Sequence, residues 1–458
     1  MNYQFSSIKH RLSRNIVFNP RKPKSFDIII GSFAAIILLG TILLCLPISS
    51  ADGNPTSPIN ALFTATSATC VTGLIVFDTA SHWSIFGQAV ILIMIQIGGM
   101  GVVTLAVSLM IIRGKKIGLA SRNTVSVAFG AERPGGIIAM TKKVVRAIFI
   151  FELIGAILLS TVFVPKMGLA SGLWASVFHS ISAFCNAGFD IMGKGSPFSS
   201  LTAYVDNPLV NVVICLLIVI GGIGFFTWSD VHQYGFHFRK YHLQSKVILV
   251  MTAVLIVIPT LIFFFADYAD MPLKTRFLAS IFQAITPRTA GFNTVDLNAI
   301  TPISREIIII LMMIGGAPGS TAGGMKVTTV CILIVTACSP FQKRGGPHCF
   351  KRRLTDTVVK QAVTLLILYV FLLIVGSMII SAVDGLPITK CIFETASAIG
   401  TVGLSLGITA QLSTLSKLIL IGCMFIGRVG GLTLIYAALL GDTHNHNAKY
   451  PVGHIAVG

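Results

Sequence analysis

Long apolar stretches alternate along the chain with short segments rich in Ala, Ser and Thr, and the alternation runs through four cycles. The stretches 26–46, 144–164, 247–265 and 361–383 match the ~20 apolar residues that a bilayer-crossing helix needs. Each is followed by a short helix-compatible segment, at 60–69, 172–184, 275–286 and 388–399. A second apolar stretch comes after each of these, at 83–112, 209–228, 306–337 and 415–440. The short segments are too short to cross a bilayer. Irregular backbone at membrane depth is tolerated only when buried in protein or lining a watery cavity. The pattern therefore predicts eight full spans and four re-entrant segments. That is an all-α polytopic membrane protein, with four pseudo-repeats of span, re-entrant pore helix and span around one central pore. The expected units are a tail 1–25, repeats 26–112, 144–228, 247–337 and 361–440, and a tail 441–458.

The re-entrant segments share a motif, an apolar residue and a small-residue run ending at a glycine ten positions on. The copies run from Phe63 to Gly73, Phe178 to Gly188, Ile281 to Gly291 and Phe393 to Gly403, with glycines 115, 103 and 112 residues apart. A dehydrated cation needs oxygen ligands, and backbone carbonyls supply them without fixed charge. Glycine permits the backbone that turns carbonyls toward one axis, and half-helices aiming their carboxyl ends inward favour a cation there. Four such glycines at matching phase predict a cation pore.

Two stretches break the apolar pattern of the second spans. Ile314 to Val327 is a Gly/Ser/Thr run containing Pro318-Gly319, which predicts a mobile loop beneath the filter rather than a lipid-facing helix. Ile426-Gly-Arg-Val-Gly-Gly is in phase with the Gly-Gly pairs after Ile97 and Ile220. Arg428 in that span is expected to face the pore, bond carbonyls of the 315–324 loop or the filter, and lower cation throughput. Arg288 is expected to point off-axis and tie down the third filter segment, through Glu394, Asp296 or Glu306. Glu152, mid-span, reads as a structural hydrogen-bonding group, with proton coupling as the alternative. Cys70 and Cys185, three residues before their glycines, read as small packing residues. His444 and His446 read as polar tail.

Composition narrows the function further. The 458 residues are 54% hydrophobic and 11% charged, and no segment is long enough for a separate soluble domain. The net charge of +18 lies mainly in the amino-terminal tail, 113–146, 239–246 and 343–360. These fall on one side of the predicted topology, the cytoplasmic side by the positive-inside rule, with both termini there. The charge is thus a topology signal, with anionic lipid or an acidic cytosolic partner as a second use, and it does not point to nucleic acid. Without an HExxH motif, a nucleophile with a His partner, or paired intramembrane aspartates, nothing supports an enzyme.

The segments FQAITPRTAGFNT, ETASAIGTVGLSLG, FHSISAFCNAGFD and FIGRVGGLT, with the closing Lys449-Tyr-Pro-Val-Gly, resemble the Trk/Ktr/HKT superfamily of potassium transporters, and within it the KtrB-type membrane subunits. The likeness runs from about residue 25 to the end. It implies K⁺ uptake across the cell membrane, often Na⁺-dependent, with Na⁺ as activator or coupling ion. It implies a filter at Gly73, Gly188, Gly291 and Gly403, with ion-facing carbonyls from Val71 and Thr72, Asn186 and Ala187, Thr289 and Ala290, and Thr401 and Val402. Gly315, Gly316, Gly319, Ser320, Thr321, Gly323 and Gly324 then belong to an intramembrane gating loop, and Arg428 to its contact. The resemblance also implies a homodimer on a cytosolic nucleotide-binding ring, a separate polypeptide because this chain carries no GxGxxG segment. The basic loops 113–146 and 339–360 are candidates for docking it. Glycine in all four filter segments leans toward K⁺ over Na⁺. A stoichiometric Na⁺- or H⁺-coupled symporter is the alternative mechanism.

Overall fold

The computed structural model describes residues 25–101, 137–342 and 346–431. Both tails, including His444 and His446, most of the 113–146 basic segment and residues 343–345 lie outside the described residues.

The described residues are mostly helical, with almost no strand. The first quarter holds α1 (Ser25–Cys45), α2 (Pro58–Thr69) and α3 (Ile85–Met100), and the second holds α4 (Ile137–Met167), α5 (Leu169–Phe184), α6 (Pro208–Gly222) and α7 (Phe225–Tyr234). In the third are α8 (Leu243–Ala266), α9 (Leu273–Ile285), α10 (Pro302–Met313) and α11 (Val327–Cys338). A two-stranded hairpin, β1 (His348–Cys349) and β2 (Arg352–Arg353), then leads to α12 (Asp356–Asp384), α13 (Ile388–Gly400) and α14 (Thr414–Val429).

The four long helices are those whose apolar composition the chain pattern marked. Within α1, α4, α8 and α12 lie segments of 19 to 29 residues, each holding an 18-residue window of mean hydropathy 2.5 to 2.9. Much of their surface is apolar and outward-facing, as at Leu39, Leu153, Leu261 and Phe371, which suits lipid as solvent. Helices α3, α6, α10 and α14 each start at a capping side chain. Ser84 accepts from the Gly87 amide, Asn207 from Leu209 and Val210, Thr301 from Ser304, and Ser413 from Ser416. Such caps satisfy amides that a helix start leaves unpaired.

The short helices occupy the core. Phe63, Phe178, Phe282 and Phe393 are all essentially inaccessible. The third copy is out of phase with the sequence expectation, because Phe282 takes the buried place while Ile281 is half-buried. Helix α9 also stops early, at Ile285, two residues before Pro287, whose ring cannot continue the amide ladder.

One second span differs from the uninterrupted crossing expected of it, and another is broken where the Gly/Ser/Thr run predicted a loop. Helix α6 ends at Gly222 rather than near 228, and the chain turns by 97° into α7, through Gly224 at a φ of +85°. Helices α10 and α11 are separate, with 315–324 between them. Helices α3 and α14 end at Met100 and Val429, and the remainder of their expected spans, to 112 and 440, lies outside the described residues.

Candidate functional site

The four motif glycines meet at one place. A Cβ added to Gly73 would land on the carbonyl oxygen of Ala187, and one on Gly188 on that of Ala290. One on Gly291 would land on Val402, and one on Gly403 on Thr72, which closes the circuit. Each glycine abuts the residue preceding the next glycine, around a ring of four. No side chain fits at these positions. The glycines have φ of +86°, +69°, +83° and +96°, a region L-residues rarely adopt.

Two residues earlier in each copy stands a residue that is also left-handed. Val71, Asn186, Thr289 and Thr401 have φ of 57°, 59°, 64° and 51°. Such conformations in non-glycine residues cost about 1–3 kcal/mol and persist where the surroundings enforce them. The enforcing bonds run back to the half-helix. The amides of Thr72, Ala187 and Val402 donate to the carbonyls of Ser67, Ser182 and Ser397 at 2.8, 2.7 and 2.8 Å, and that of Ala290 to Thr286 at 3.0 Å. In a trans peptide the preceding carbonyl points opposite to the N–H. The carbonyls of Val71, Asn186, Thr289 and Thr401 consequently face away from their half-helices. The hydroxyls of Thr72 and Thr401 are buried and have no partner among the described residues.

Above the ring lies one cavity of about 440 Å³, whose floor includes all four glycines. Asp190 and Asp296 supply its carboxylates, and Asn293, Ser405 and Thr409 further oxygens. Burial, and secondarily the negative charge of Asp78, pushes the Asp190 carboxyl up to about 6, against opposing hydrogen bonds from the Met192 amide and Ser200.

On the other side of the ring sits the 315–324 segment. Its neck is closed by Gly315 donating to Met325 (2.8 Å) and Val327 to Gly316 (3.0 Å). Ala317 and Thr321 donate to the carbonyls of Gly222 and Gly221 (2.9 and 3.3 Å), Phe225 donates to Gly319 (2.8 Å), and Gly324 donates to Gly427 (3.1 Å). The Thr321 hydroxyl donates to the Phe184 carbonyl at the end of α5 (3.1 Å). Ser320 folds back on Ala317 (2.6 Å), Gly316 faces the side chain of Ala322, and Gly323 lies directly against the Thr401 side chain. The loop is a compact hydrogen-bonded plug against the second and fourth quarters. Arg428 on α14 donates to the Thr321 carbonyl and to the carbonyls of Gly98 and Gly99 on α3. Lys326, which the sequence pattern did not single out, donates to Ala322 and Gly323 (2.7 and 3.4 Å).

Helices α3, α6 and α14 approach the ring through glycines. A side chain on Gly98, Gly221 or Gly427 would strike the carbonyl of Thr69, Phe184 or Ile399, near the end of each half-helix. The in-phase Gly-Gly pairs in the sequence were the signal for this packing, which lets helix backbones come close inside a membrane.

The expected partners of Arg288 are corrected. Its guanidinium donates to the Thr252 hydroxyl at 3.3 Å, and Glu394 accepts from Ser405 and Thr409 of its own quarter. Asp296 accepts from Asn298 instead. Glu152 accepts from Gln96 (3.2 Å) and Cys185 (3.8 Å), and Cys70 and Cys185 are buried thiols outside any disulfide.

Comparison with known proteins gives the family of the chain. The chain is 39% identical over 435 residues to the Ktr system potassium uptake protein B of Bacillus subtilis (strain 168), spanning 94% of this chain and 95% of that protein. It is 37% identical over 442 residues to the potassium/sodium uptake protein NtpJ of Enterococcus hirae, spanning 94% and 97%. The fold superimposes on the crystal structure of the potassium transporter TrkH from Vibrio parahaemolyticus with a TM-score of 0.74 at 18% identity, over 94% of this chain and 87% of that one. A family model, TrkH, described as a cation transport protein, matches residues 5–446. The chain therefore belongs to the TrkH family of cation transport proteins, a family of multi-pass membrane transporters and not of enzymes.

Proposed function

We propose that this chain is the ion-translocating subunit of a Ktr-like potassium uptake system in the cell membrane. K⁺ passes along the axis of the glycine ring, coordinated by the carbonyls of Val71, Thr72, Asn186, Ala187, Thr289, Ala290, Thr401 and Val402. The observation that carries the reading is the closed circuit in which Gly73, Gly188, Gly291 and Gly403 each abut a carbonyl of the next segment. It gives four backbone strands one common axis, and backbone carbonyls around an axis replace an ion's hydration shell. The relatives named for potassium uptake support K⁺ as cargo.

In this reading the four quarters are pseudo-repeats, and the 315–324 plug, pinned by Arg428, is the gate. The basic segments face the cytoplasm, as do both termini. The subunit works as a homodimer on a cytosolic nucleotide-binding ring, and the exposed strand β2 belongs to the docking surface. Na⁺ acts as activator or coupling ion.

The test is ⁸⁶Rb⁺ uptake into proteoliposomes holding the full chain, competed by K⁺ and by Na⁺, with and without a Na⁺ gradient. Uptake displaced by K⁺ and indifferent to the gradient supports a gated pore. Uptake with a fixed dependence on the gradient replaces it with the Na⁺- or H⁺-coupled symporter. Uptake that K⁺ does not displace, with the ring subunit also present, overturns the reading.

A further inference from the structure

Glu152 lies midway along α4, 5% exposed, in an otherwise apolar run. A carboxylate at membrane depth is costly and needs a reason to be there. Among the described residues its carboxylate has two polar partners, and neither is a cation. Oε2 accepts from the Gln96 amide at 3.2 Å and Oε1 faces the Cys185 thiol at 3.8 Å, a thiol that also lies 3.9 Å from Gln96 Oε1. Its main-chain carbonyl accepts from the Ser180 hydroxyl at 2.6 Å.

Each partner adjoins a working part of the pathway. Gln96 stands two residues before Gly98, whose carbonyl, with that of Gly99, accepts from Arg428. Cys185 directly precedes Asn186, the left-handed residue of the second filter strand. The two parts touch, since a Cβ on Gly99 would strike the Cys185 side chain. The carboxylate thus stands behind a joint between the end of α3 and the start of the second filter strand, with one oxygen for each. An apolar side chain of similar size would fill the space and hold neither.

We propose that Glu152 is a positioning residue that keeps the second filter strand in register with the α3 terminus gripped by Arg428. The inference rests on the filter reading above. Discrimination between K⁺ and Na⁺ depends on where carbonyls stand, so a loosened joint changes the ion preference of each molecule as well as the number of working molecules.

The experiment compares the full chain with Glu152→Gln, Glu152→Leu and Gln96→Leu in liposomes, reading the ratio of ⁸⁶Rb⁺ to ²²Na⁺ uptake, which cancels differences in folded amount. Glu152→Leu and Gln96→Leu are each expected to lower the ratio about fivefold, the scale of one lost hydrogen bond, and Glu152→Gln, which keeps one acceptor oxygen for Gln96, to restore part of it. Should Glu152→Leu fail to insert, Gln96→Leu reports on the same joint. An unchanged ratio in the Leu variants overturns the proposal, and so does a Gln variant as impaired as Leu, which would mean that charge and not geometry matters. If the unmodified chain shows no preference between the two ions, the filter reading itself fails, and that outcome is separate from any behaviour of the variants.

Discussion

Arg428, in the last turn of α14, donates a hydrogen bond to the backbone carbonyl of Thr321, in the middle of the segment that separates α10 from α11. One guanidinium therefore joins three quarters of the chain, because the same group also reaches the carbonyls of Gly98 and Gly99 on α3. Its charge faces three carbonyl dipoles and no carboxylate among the described residues. In the proposed gate the side chain is a latch on this segment.

Releasing that latch is expected to raise flux. Each bond from a charged donor contributes about 1.5–3 kcal/mol, so losing the contact to Thr321 shifts the plug toward displaced positions about tenfold or more. Arg428→Ala is expected to increase the initial rate of ⁸⁶Rb⁺ uptake several-fold, while Arg428→Lys, which keeps a donor, falls between. Unchanged initial rates in Arg428→Ala would remove the latch from the mechanism.

The ring makes a sharper demand at Gly403. Its φ is +96°, and a side chain there would meet the Thr72 carbonyl. Strain of this kind costs about 1–3 kcal/mol, and the backbone can relieve it only by moving carbonyls off the axis. Gly403→Ser is expected to weaken the competition of K⁺ against Na⁺ by about fivefold or more, with a smaller loss of membrane-inserted protein. Competition curves normalised to protein detected in the membrane separate the two effects.

Close helix packing gives a prediction of the opposite kind. Gly427 on α14 lies against the Ile399 carbonyl, with no room for a Cβ. Gly427→Val should push α14 from α13 and reduce folded protein, since overpacking a tight contact costs about 1–3 kcal/mol. Yield and thermal stability of the purified chain are the readout, and a stable Gly427→Val variant with normal uptake would show that the approach is not required.

These examples also show what the chain pattern could and could not disclose. The glycines were legible because the backbone itself demands glycine there, at positive φ and at van der Waals contact with a carbonyl. The end of α6 at Gly222 was not legible. Residues 223–226 continue the apolar run, and a helix that turns by 97° has the same composition as one that continues. Charge complementarity suggested Glu394 for Arg288, yet Glu394 is taken by hydroxyls 11 and 15 residues further along its own quarter. Opposite charges attract at any spacing, and only the folded chain decides which hydrogen bonds come first. The Gln96, Glu152 and Cys185 cluster was invisible for a related reason, because its members come from α3, α4 and the turn that follows α5.

External pH should modulate uptake through Asp190. This carboxylate lines the cavity above the ring two residues beyond Gly188, and burial with the nearby charge of Asp78 raises its titration to about 6. A raised value means that the group is charged above about pH 6 and neutral below it. Cations gathered over the ring are attracted to the charged form. Lowering external pH from 7.5 to 5 at constant internal pH should therefore reduce uptake at subsaturating Rb⁺, by about twofold to fivefold for one charge at the rim of a wet cavity. The loss should lie in the apparent affinity and shrink at high salt, which screens the field. Asp190→Asn should show the lower affinity at both pH values and a flattened dependence between them. A pH profile in Asp190→Asn as steep as in the unmodified chain would move the titrating group elsewhere, with Asp296 on the same wall as the next variant to measure.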